Sequence, residues 1–254
     1  MLQKELLYAL MGTGFTCAAT VLGSAMVFFF RKDIGRSTQR IFLGFAAGVM
    51  IAASVWSLLI PAMEMAEAQS MHLWLPAAVG FLAGVGGLLG LDRLLERAQK
   101  KPQHGSMLAL AVTLHNLPEG MAVGVALAGM LEGEQLMTMA GAAALSLGIA
   151  VQNVPEGAII SAPLAAAGKG KLRALAAGAL SGAVEPIGAV LTLLLTRQIA
   201  ALLPFVLAFA AGCMLYVVVV ELVPEAARGE KSAAGVMGAS LGFVAMMLLD
   251  VLFG

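Results

Sequence analysis

Two copies of one short motif carry the side chains in this sequence that are best suited to bind a cation. The first copy reads H-N-L-P-E-G and begins at His115, and the second reads Q-N-V-P-E-G and begins at Gln152, 37 residues later. In each copy the first residue and the glutamate are four positions apart, so they share one face of a helix. Imidazole, carboxylate and amide donors without thiolates suit a labile site for zinc or another first-row divalent metal.

Four glutamates lie inside long apolar stretches of the chain: Glu119, Glu156, Glu185 and Glu221. A charge at the centre of a bilayer costs at least about 2.5–3.5 kcal/mol on insertion scales. Every Lys and Arg lies in a loop or near a terminus, so the four acids are either protonated or bound to a cation. Glu185 precedes a proline that interrupts the helix, which favours a ligand role. Glu221 fits an exit-path ligand and an inner-rim carboxylate equally well.

Two asparagines and one methionine complete the candidate site. Asn116 and Asn153 stand three residues before the motif glutamates, and their amides can fill the remaining ligand positions. Met50 is one of 16 methionines. Its default role is packing in the apolar core, and the alternative is that its sulfur is a soft metal ligand.

The elements that must hold these residues are membrane-spanning helices. The chain is 60% hydrophobic and 12% charged, whereas a soluble domain is about 45–50% apolar and about 25% charged. So few charged residues cannot cover the surface of a soluble particle, and the sequence predicts an all-α integral membrane protein in contact with the lipid bilayer. The net charge of zero gives no indication of a nucleic-acid partner.

Eight apolar runs are long enough to cross a bilayer, which takes about 20 helical residues. No soluble segment remains between them, so residues 1–254 are interpreted as a single transmembrane transporter domain. Pairs of glycines four residues apart, such as Gly80 and Gly84, predict that some of these helices approach closely. We number the runs span 1 to span 8; they cover about 5–30, 41–63, 73–91, 107–131, 136–166, 172–196, 201–223 and 233–253.

The distribution of cations predicts the orientation of the spans. Thirteen of the 15 Lys and Arg residues lie in the loops after spans 1, 3, 5 and 7. Cytoplasmic loops carry such an excess of Lys and Arg. Both termini are therefore predicted to face away from the cytoplasm.

Internal repeats relate the two ends of the chain. The segment F-A-A-G-V-M at Phe45 in span 2 recurs as F-A-A-G-C-M at Phe209 in span 7, an offset of 164 residues. The span numbers of the two copies differ by five, an odd number, so the copies run in opposite directions. The chain is predicted to be three spans, an inverted central pair and three more spans, a 3+2+3 arrangement typical of secondary transporters. Span 3 aligns loosely with span 8 through Gly80, Gly84 and Asp92 against Gly238, Gly242 and Asp250.

The two central motifs, E-P-I-G in span 6 and the V-P-E ending of span 7 resemble the ZIP (Zrt-/Irt-like) family of divalent-metal transporters, of the bacterial type. The resemblance covers essentially the whole chain. It implies a homodimer, import toward the cytoplasm, and movement of the bundle of spans 1, 4, 5 and 6 against the other spans. It also implies a multi-pass protein of the bacterial inner membrane.

The resemblance also implies a two-metal centre between spans 4 and 5, with the motif glutamates bridging the two metals. Met50 matches a family methionine at the first metal site, and Glu221 matches a residue on the family's cytoplasmic release route. By motif position, the first site is formed by His115, Glu119, Gln152 and Glu156, and the second by Asn116, Asn153 and Glu185.

Two features depart from the family pattern. Several members carry Asp where this chain has Asn153, which leaves the second site with one negative charge fewer. The loop between spans 3 and 4 holds a single histidine, His104, where many relatives have a histidine-rich stretch. A metal-sensing role for that loop therefore has little support.

The sequence predicts a transporter of divalent transition metals, with zinc as the first choice and no catalytic cofactor. Iron, manganese, cobalt, nickel and cadmium remain open as cargo. The alternative is another cation carrier such as a calcium/proton exchanger, although calcium prefers an all-oxygen shell and His115 argues against it. An enzyme is not expected, because a membrane zinc protease would carry H-E-x-x-H on one helix.

Overall fold

The computed structural model of the chain is nearly all helical. It describes residues 2–29, 35–98, 116–124, 126–127, 139–166, 168–196, 200–228 and 233–253. Within these ranges there is no strand, and seven helices are long and apolar enough to cross a membrane. The chain is therefore a helical multi-pass membrane protein. Most of the fourth predicted span falls outside the described residues. Its described parts, 116–124 and 126–127, are helical.

The observed helices follow the predicted spans and differ from them chiefly at their ends. Span 2 was predicted over 41–63 and runs over Arg36–Ala68, because a helix can extend its charged ends beyond the hydrocarbon. The helices are Leu2–Ala25 with the 3-10 turn Met26–Phe28 (span 1), Arg36–Ala53, Ser54–Leu59 and Ile60–Ala68 (span 2), Trp74–Ala98 (span 3), Met139–Ala166 (span 5), Lys171–Gly182 and Val184–Thr196 (span 6), Ala200–Leu202, Leu203–Val217, Val218–Leu222 and Val223–Ala226 (span 7), and Ala233–Phe253 (span 8).

Spans 2 and 7 each contain a π-helical segment, at Ser54–Leu59 and at Val218–Leu222. The segments begin 164 residues apart, which is the offset of the F-A-A-G repeat. The π-helix is rare and appears mostly as single turns inside α-helices, frequently at functional sites. The two halves of the sequence therefore share a backbone irregularity as well as a motif.

Glycines of spans 3 and 8 pack against the carbonyls of spans 7 and 2. A Cβ atom on Gly84 would collide with the carbonyl oxygen of Phe209, and one on Gly242 would collide with that of Phe45. Phe45 and Phe209 are the equivalent residues of the repeat. The same contact therefore joins span 3 to span 7 and span 8 to span 2, and the predicted close approach at Gly80 and Gly84 is confirmed.

A second pair of contacts relates spans 1 and 6, which the sequence did not align. A Cβ on Gly157 in span 5 would collide with the carbonyl oxygen of Thr20, and one on Gly120 would collide with that of Glu185. Gly120 and Gly157 are equivalent residues of the central motif, so Thr20 of span 1 corresponds to Glu185 of span 6. The backbones of spans 1 and 6 therefore pack against the two central helices in matching ways.

Span 5 forms the centre of the molecule. In its most apolar stretch, 78% of the residues are buried, compared with 17% in span 3 and 22% in span 8. Spans 3 and 8 expose large apolar side chains such as Leu82 and Leu241, as expected of helices that face lipid. The buried interior therefore surrounds the second central motif.

Candidate metal centre

The polar residues of the two central motifs are buried in the middle of the helix bundle. Asn116, Glu119, Gln152 and Asn153 are fully buried, and Glu156 is 3% exposed. Helical residues 116–124 and Met139–Ala166 carry them in an otherwise apolar interior. Burying so many polar groups without partners costs free energy unless something else satisfies them.

Span 6 contributes the third buried carboxylate, Glu185. Its helix ends at Gly182 and restarts at Val184 after a turn at Ala183. Pro186 has no N–H and is tolerated in the first turn of a helix. The interruption places Glu185 in that first turn, where the helix dipole favours a negative charge.

The carboxylates of spans 4, 5 and 6 converge. Adjacent residues of span 5 contact the other two: Gln152 donates to Glu119 of span 4, and Asn153 donates to Glu185 of span 6. The buried polar residues in the described part of the chain include no Lys or Arg. Three acids thus share an interior in which no described cation of the protein compensates them.

Six buried side-chain oxygens around this cluster have no hydrogen-bond partner. Buried polar atoms in proteins are nearly always hydrogen-bonded, and each exception calls for an explanation such as an ion. Carboxylate and amide oxygens of this kind can donate electron pairs to a divalent cation. The atoms are Asn116 Oδ1, Glu119 Oε2, Gln152 Oε1, Asn153 Oδ1, Glu156 Oε1 and Glu156 Oε2.

Glu185 differs from the other two glutamates because both of its carboxylate oxygens are hydrogen-bonded. Asn153 Nδ2 donates to Glu185 Oε1 at 3.0 Å, and Thr20 Oγ1 lies 3.2 Å from the same oxygen. Thr16 donates its hydroxyl to Glu185 Oε2. Span 1 therefore supplies hydroxyls that hold Glu185 in place.

The motif amides hold their neighbours through their nitrogens. Gln152 Nε2 donates to Glu119 Oε1, and Asn116 Nδ2 donates to Ser181 Oγ at 3.0 Å. Since each amide uses its nitrogen in this way, its oxygen stays directed elsewhere. The hydrogen bonds made by the amide nitrogens thus hold Asn116 and Gln152 in place, while their amide oxygens have no partner.

The remaining predicted site residues have different surroundings. His115 lies outside the described residues. Met50 is fully buried and packs in the apolar core, and Glu221 is partly exposed within the π-helical segment of span 7. In the described part of the chain, no three His, Cys, Asp or Glu residues are close enough to form a metal cage by themselves. Any cage there must include the amide oxygens or a donor from elsewhere.

Sequence reasoning missed the hydroxyl-bearing face of span 1. Four hydroxyl residues spaced three or four apart lie on one side of an otherwise apolar helix, and all are fully buried. That spacing was visible in the sequence and places the four hydroxyls on one face of the helix. The residues are Thr13, Thr16, Thr20 and Ser24.

Comparison with known proteins gives a consistent result. The family model described as "ZIP Zinc transporter" matches residues 95–250. "Zinc transporter ZIP11" of Homo sapiens is 33% identical, with all of both chains covered. "Zinc transporter ZIPB" of Bordetella bronchiseptica is 35% identical over 97% of this chain and 82% of its own length. "Zinc transporter GufA" of Myxococcus xanthus is 36% identical over 93% and 95%.

The match to the family model includes both central motifs and the interrupted span 6. The similarity to the relatives also extends across spans 1 to 3, which the family model does not match. Agreement over this length, with the buried carboxylates at the centre of the matched region, shows that the chain belongs to the ZIP zinc-transporter family.

Proposed function

We propose that this protein carries divalent transition-metal ions, zinc above all, across the membrane and into the cytoplasm. One observation carries the proposal. Six buried oxygens of the motif glutamates and amides have no hydrogen-bond partner, and no Lys or Arg is buried among them in the described part of the chain. A cation is the ligand that would satisfy these atoms. The relatives named zinc transporters support zinc as the cargo.

The first metal position is proposed to use Glu119, Gln152 and Glu156, with His115 as its nitrogen ligand and Met50 beside it. Three of the four oxygens of Glu119 and Glu156 are unpartnered, so these carboxylates can accept a cation without first breaking a hydrogen bond. The two glutamates supply the charge and bridge toward the second position. Glu221 is proposed to receive the metal on the route toward the cytoplasm.

The second position is proposed to use Asn116, Asn153 and Glu185, and to hold metal more weakly than the first. Binding there requires Thr16, Thr20 and Asn153 to release the carboxylate of Glu185. Asn153 also contributes no charge. Both features favour occupancy of the first position.

The proposed organisation in the membrane is eight spans in a 3+2+3 arrangement with both termini outside the cytoplasm. The matched glycine contacts at Gly84 and Gly242 support inverted repeats. Bacterial relatives support the bacterial inner membrane as the location. The protein is also proposed to form a homodimer.

Metal uptake into proteoliposomes tests the function. Purified protein is reconstituted with a zinc-sensitive dye inside, and zinc or calcium is added outside. Glu119→Ala is expected to abolish zinc entry nearly completely, because it removes half of the bridging charge. Glu64→Ala, at an exposed acid on span 2, is the matched control and should transport normally.

The outcomes distinguish the competing functions. Zinc entry that is lost only in Glu119→Ala supports both the cargo and the site. Calcium entry without zinc entry would instead favour a calcium carrier, for which the all-oxygen donors of the described residues are suited. Normal zinc entry by Glu119→Ala would contradict the site assignment.

A further inference from the structure

A polar pocket lies away from the metal centre, where the beginning of span 2 meets the end of span 7. Its volume is about 380 Å³, and its wall is dominated by three arginines from two separate parts of the chain. The lining residues are Arg36, Gln39, Arg40, Leu43, Glu225 and Arg228.

The charge of this arginine pocket is unbalanced. Glu225 is its acidic residue, and it pairs with Arg228 at 3.0 Å. Arg36 and Arg40 are four residues apart and share one helix face, and within the described part of the chain neither has a hydrogen bond or an ion pair. Two guanidinium groups in one concavity repel each other, and an anion between them would remove that repulsion.

The first turn of span 2 adds to the positive potential. The helix begins at Arg36, and the preceding residue, Gly35, provides no side-chain cap. The N–H groups of a first helical turn lack partners within the helix and attract anions. Planar guanidinium groups match phosphate in particular, because they can donate two parallel hydrogen bonds.

The length of span 2 places the pocket at the level of lipid headgroups. The span runs over 33 residues, about 50 Å at the usual helical rise, whereas the hydrocarbon core is about 30 Å thick. The overhang puts the first turns of the helix in the headgroup layer. The cation distribution assigns that end to the cytoplasmic leaflet, where basic pockets between spans bind lipid headgroups.

We propose that the arginine pocket binds a phosphate-bearing anion, with the headgroup of an anionic phospholipid as its source. Arg36 and Arg40 hold the phosphate, and Gln39 is positioned to donate to its ester oxygens or glycerol. A bound lipid would link the ends of spans 2 and 7. Free phosphate has the same recognition chemistry, so the experiment separates the two sources.

Native mass spectrometry of the purified protein tests the proposal independently of transport. The protein is titrated with phosphatidylglycerol or phosphatidylcholine, and separately with inorganic phosphate. Wild-type protein is expected to retain phosphatidylglycerol selectively. R36Q/R40Q is expected to weaken that retention by about tenfold to thirtyfold, the loss expected for two cations at a lipid surface.

The matched control is R93Q/R173Q, which removes two exposed arginines on the same predicted side of the membrane. It should retain phosphatidylglycerol as the wild type does. Size-exclusion chromatography checks that each variant is folded. If R36Q/R40Q is not monodisperse, the single variants R36Q and R40Q are compared with R93Q, and each should lose severalfold.

Every result decides the proposal. Selective loss in the pocket variants supports it, and retention of inorganic phosphate in place of the lipid supports it with solution as the source. Unchanged retention of phosphatidylglycerol by R36Q/R40Q would overturn it, because the pocket would then not hold the lipid. Equal loss in R36Q/R40Q and R93Q/R173Q would also overturn it, because net charge alone would then explain the binding. Retention of neither phosphatidylglycerol nor phosphate above the phosphatidylcholine level would also overturn it.

Discussion

At the scale of single residues, the three buried glutamates differ in how many of their carboxylate oxygens accept hydrogen bonds. Glu119 and Glu156 leave three of their four oxygens unpartnered, whereas both oxygens of Glu185 accept hydrogen bonds. A carboxylate that is already hydrogen-bonded loses more on binding a metal than one that is not. The glutamates should therefore contribute unequally to metal binding.

Glu119→Gln is expected to weaken zinc binding by more than about hundredfold, because it removes charge from the unsatisfied part of the site. Glu185→Gln should cost only about tenfold, or about 1.4 kcal/mol, because Glu185 belongs to the weaker second position and gives up its hydrogen bonds when it binds metal. Isothermal titration of both purified variants with zinc measures the difference. Equal losses would contradict the unequal contributions that the hydrogen bonding of the two carboxylates predicts.

Thr16→Val tests the hydroxyls of span 1. The variant keeps the shape of the side chain but leaves a buried oxygen of Glu185 without a donor, which should destabilise the metal-free protein by about 1–3 kcal/mol. Thr13→Val is the control, because Thr13 is equally buried but bonds only to Ala9 of its own helix. Thermal unfolding without metal should separate the two, and identical midpoints would contradict the proposed support of Glu185.

The sequence alone singled out the motif glutamates and amides as candidates, because acids inside apolar runs are rare and conspicuous. It could not identify Thr16 and Thr20 as partners of Glu185, since threonine is compatible with an apolar helix and 165 residues separate Thr20 from Glu185. Nor could spacing show which glutamate is hydrogen-bonded. That distinction depends on how spans 1 and 6 pack around the central motifs.

At the scale of helices, close backbone contacts hold the bundle together. Gly84 touches the backbone of span 7, whereas Gly86, two residues later in the same helix, faces open space. The sequence predicted that glycine pairs mark close approach, but their partners depend on the fold. These two positions form a matched pair for substitution.

Gly84→Ala should destabilise the protein by about 1–3 kcal/mol, because the added methyl forces spans 3 and 7 apart. Gly86→Ala should be neutral or slightly stabilising, since it adds no clash and alanine favours the helix by about 0.5–1 kcal/mol. Denaturant unfolding in detergent measures both. A Gly86→Ala variant as unstable as Gly84→Ala would show that helix contacts are not the cause.

At the scale of the whole molecule, the cation distribution predicts which side of each span faces the cytoplasm. Single cysteines placed at Glu64 and at Arg173, in a protein whose native Cys17 and Cys213 are replaced by alanine, report that orientation. A membrane-impermeant maleimide added to intact cells should label the cysteine at position 64 and leave the one at 173 unlabelled until the cells are opened. The reverse pattern would contradict the predicted orientation of the spans.

The π-helical segments of spans 2 and 7 also carry information about ancestry. Both begin at the same place in their repeat, at Ser54 and Val218, although the residues within them differ. When two repeats share a rare backbone feature at the same position, the simplest explanation is that both inherited it from one ancestor. On the proposed 3+2+3 arrangement, the irregularity would be older than the duplication that produced the two inverted copies.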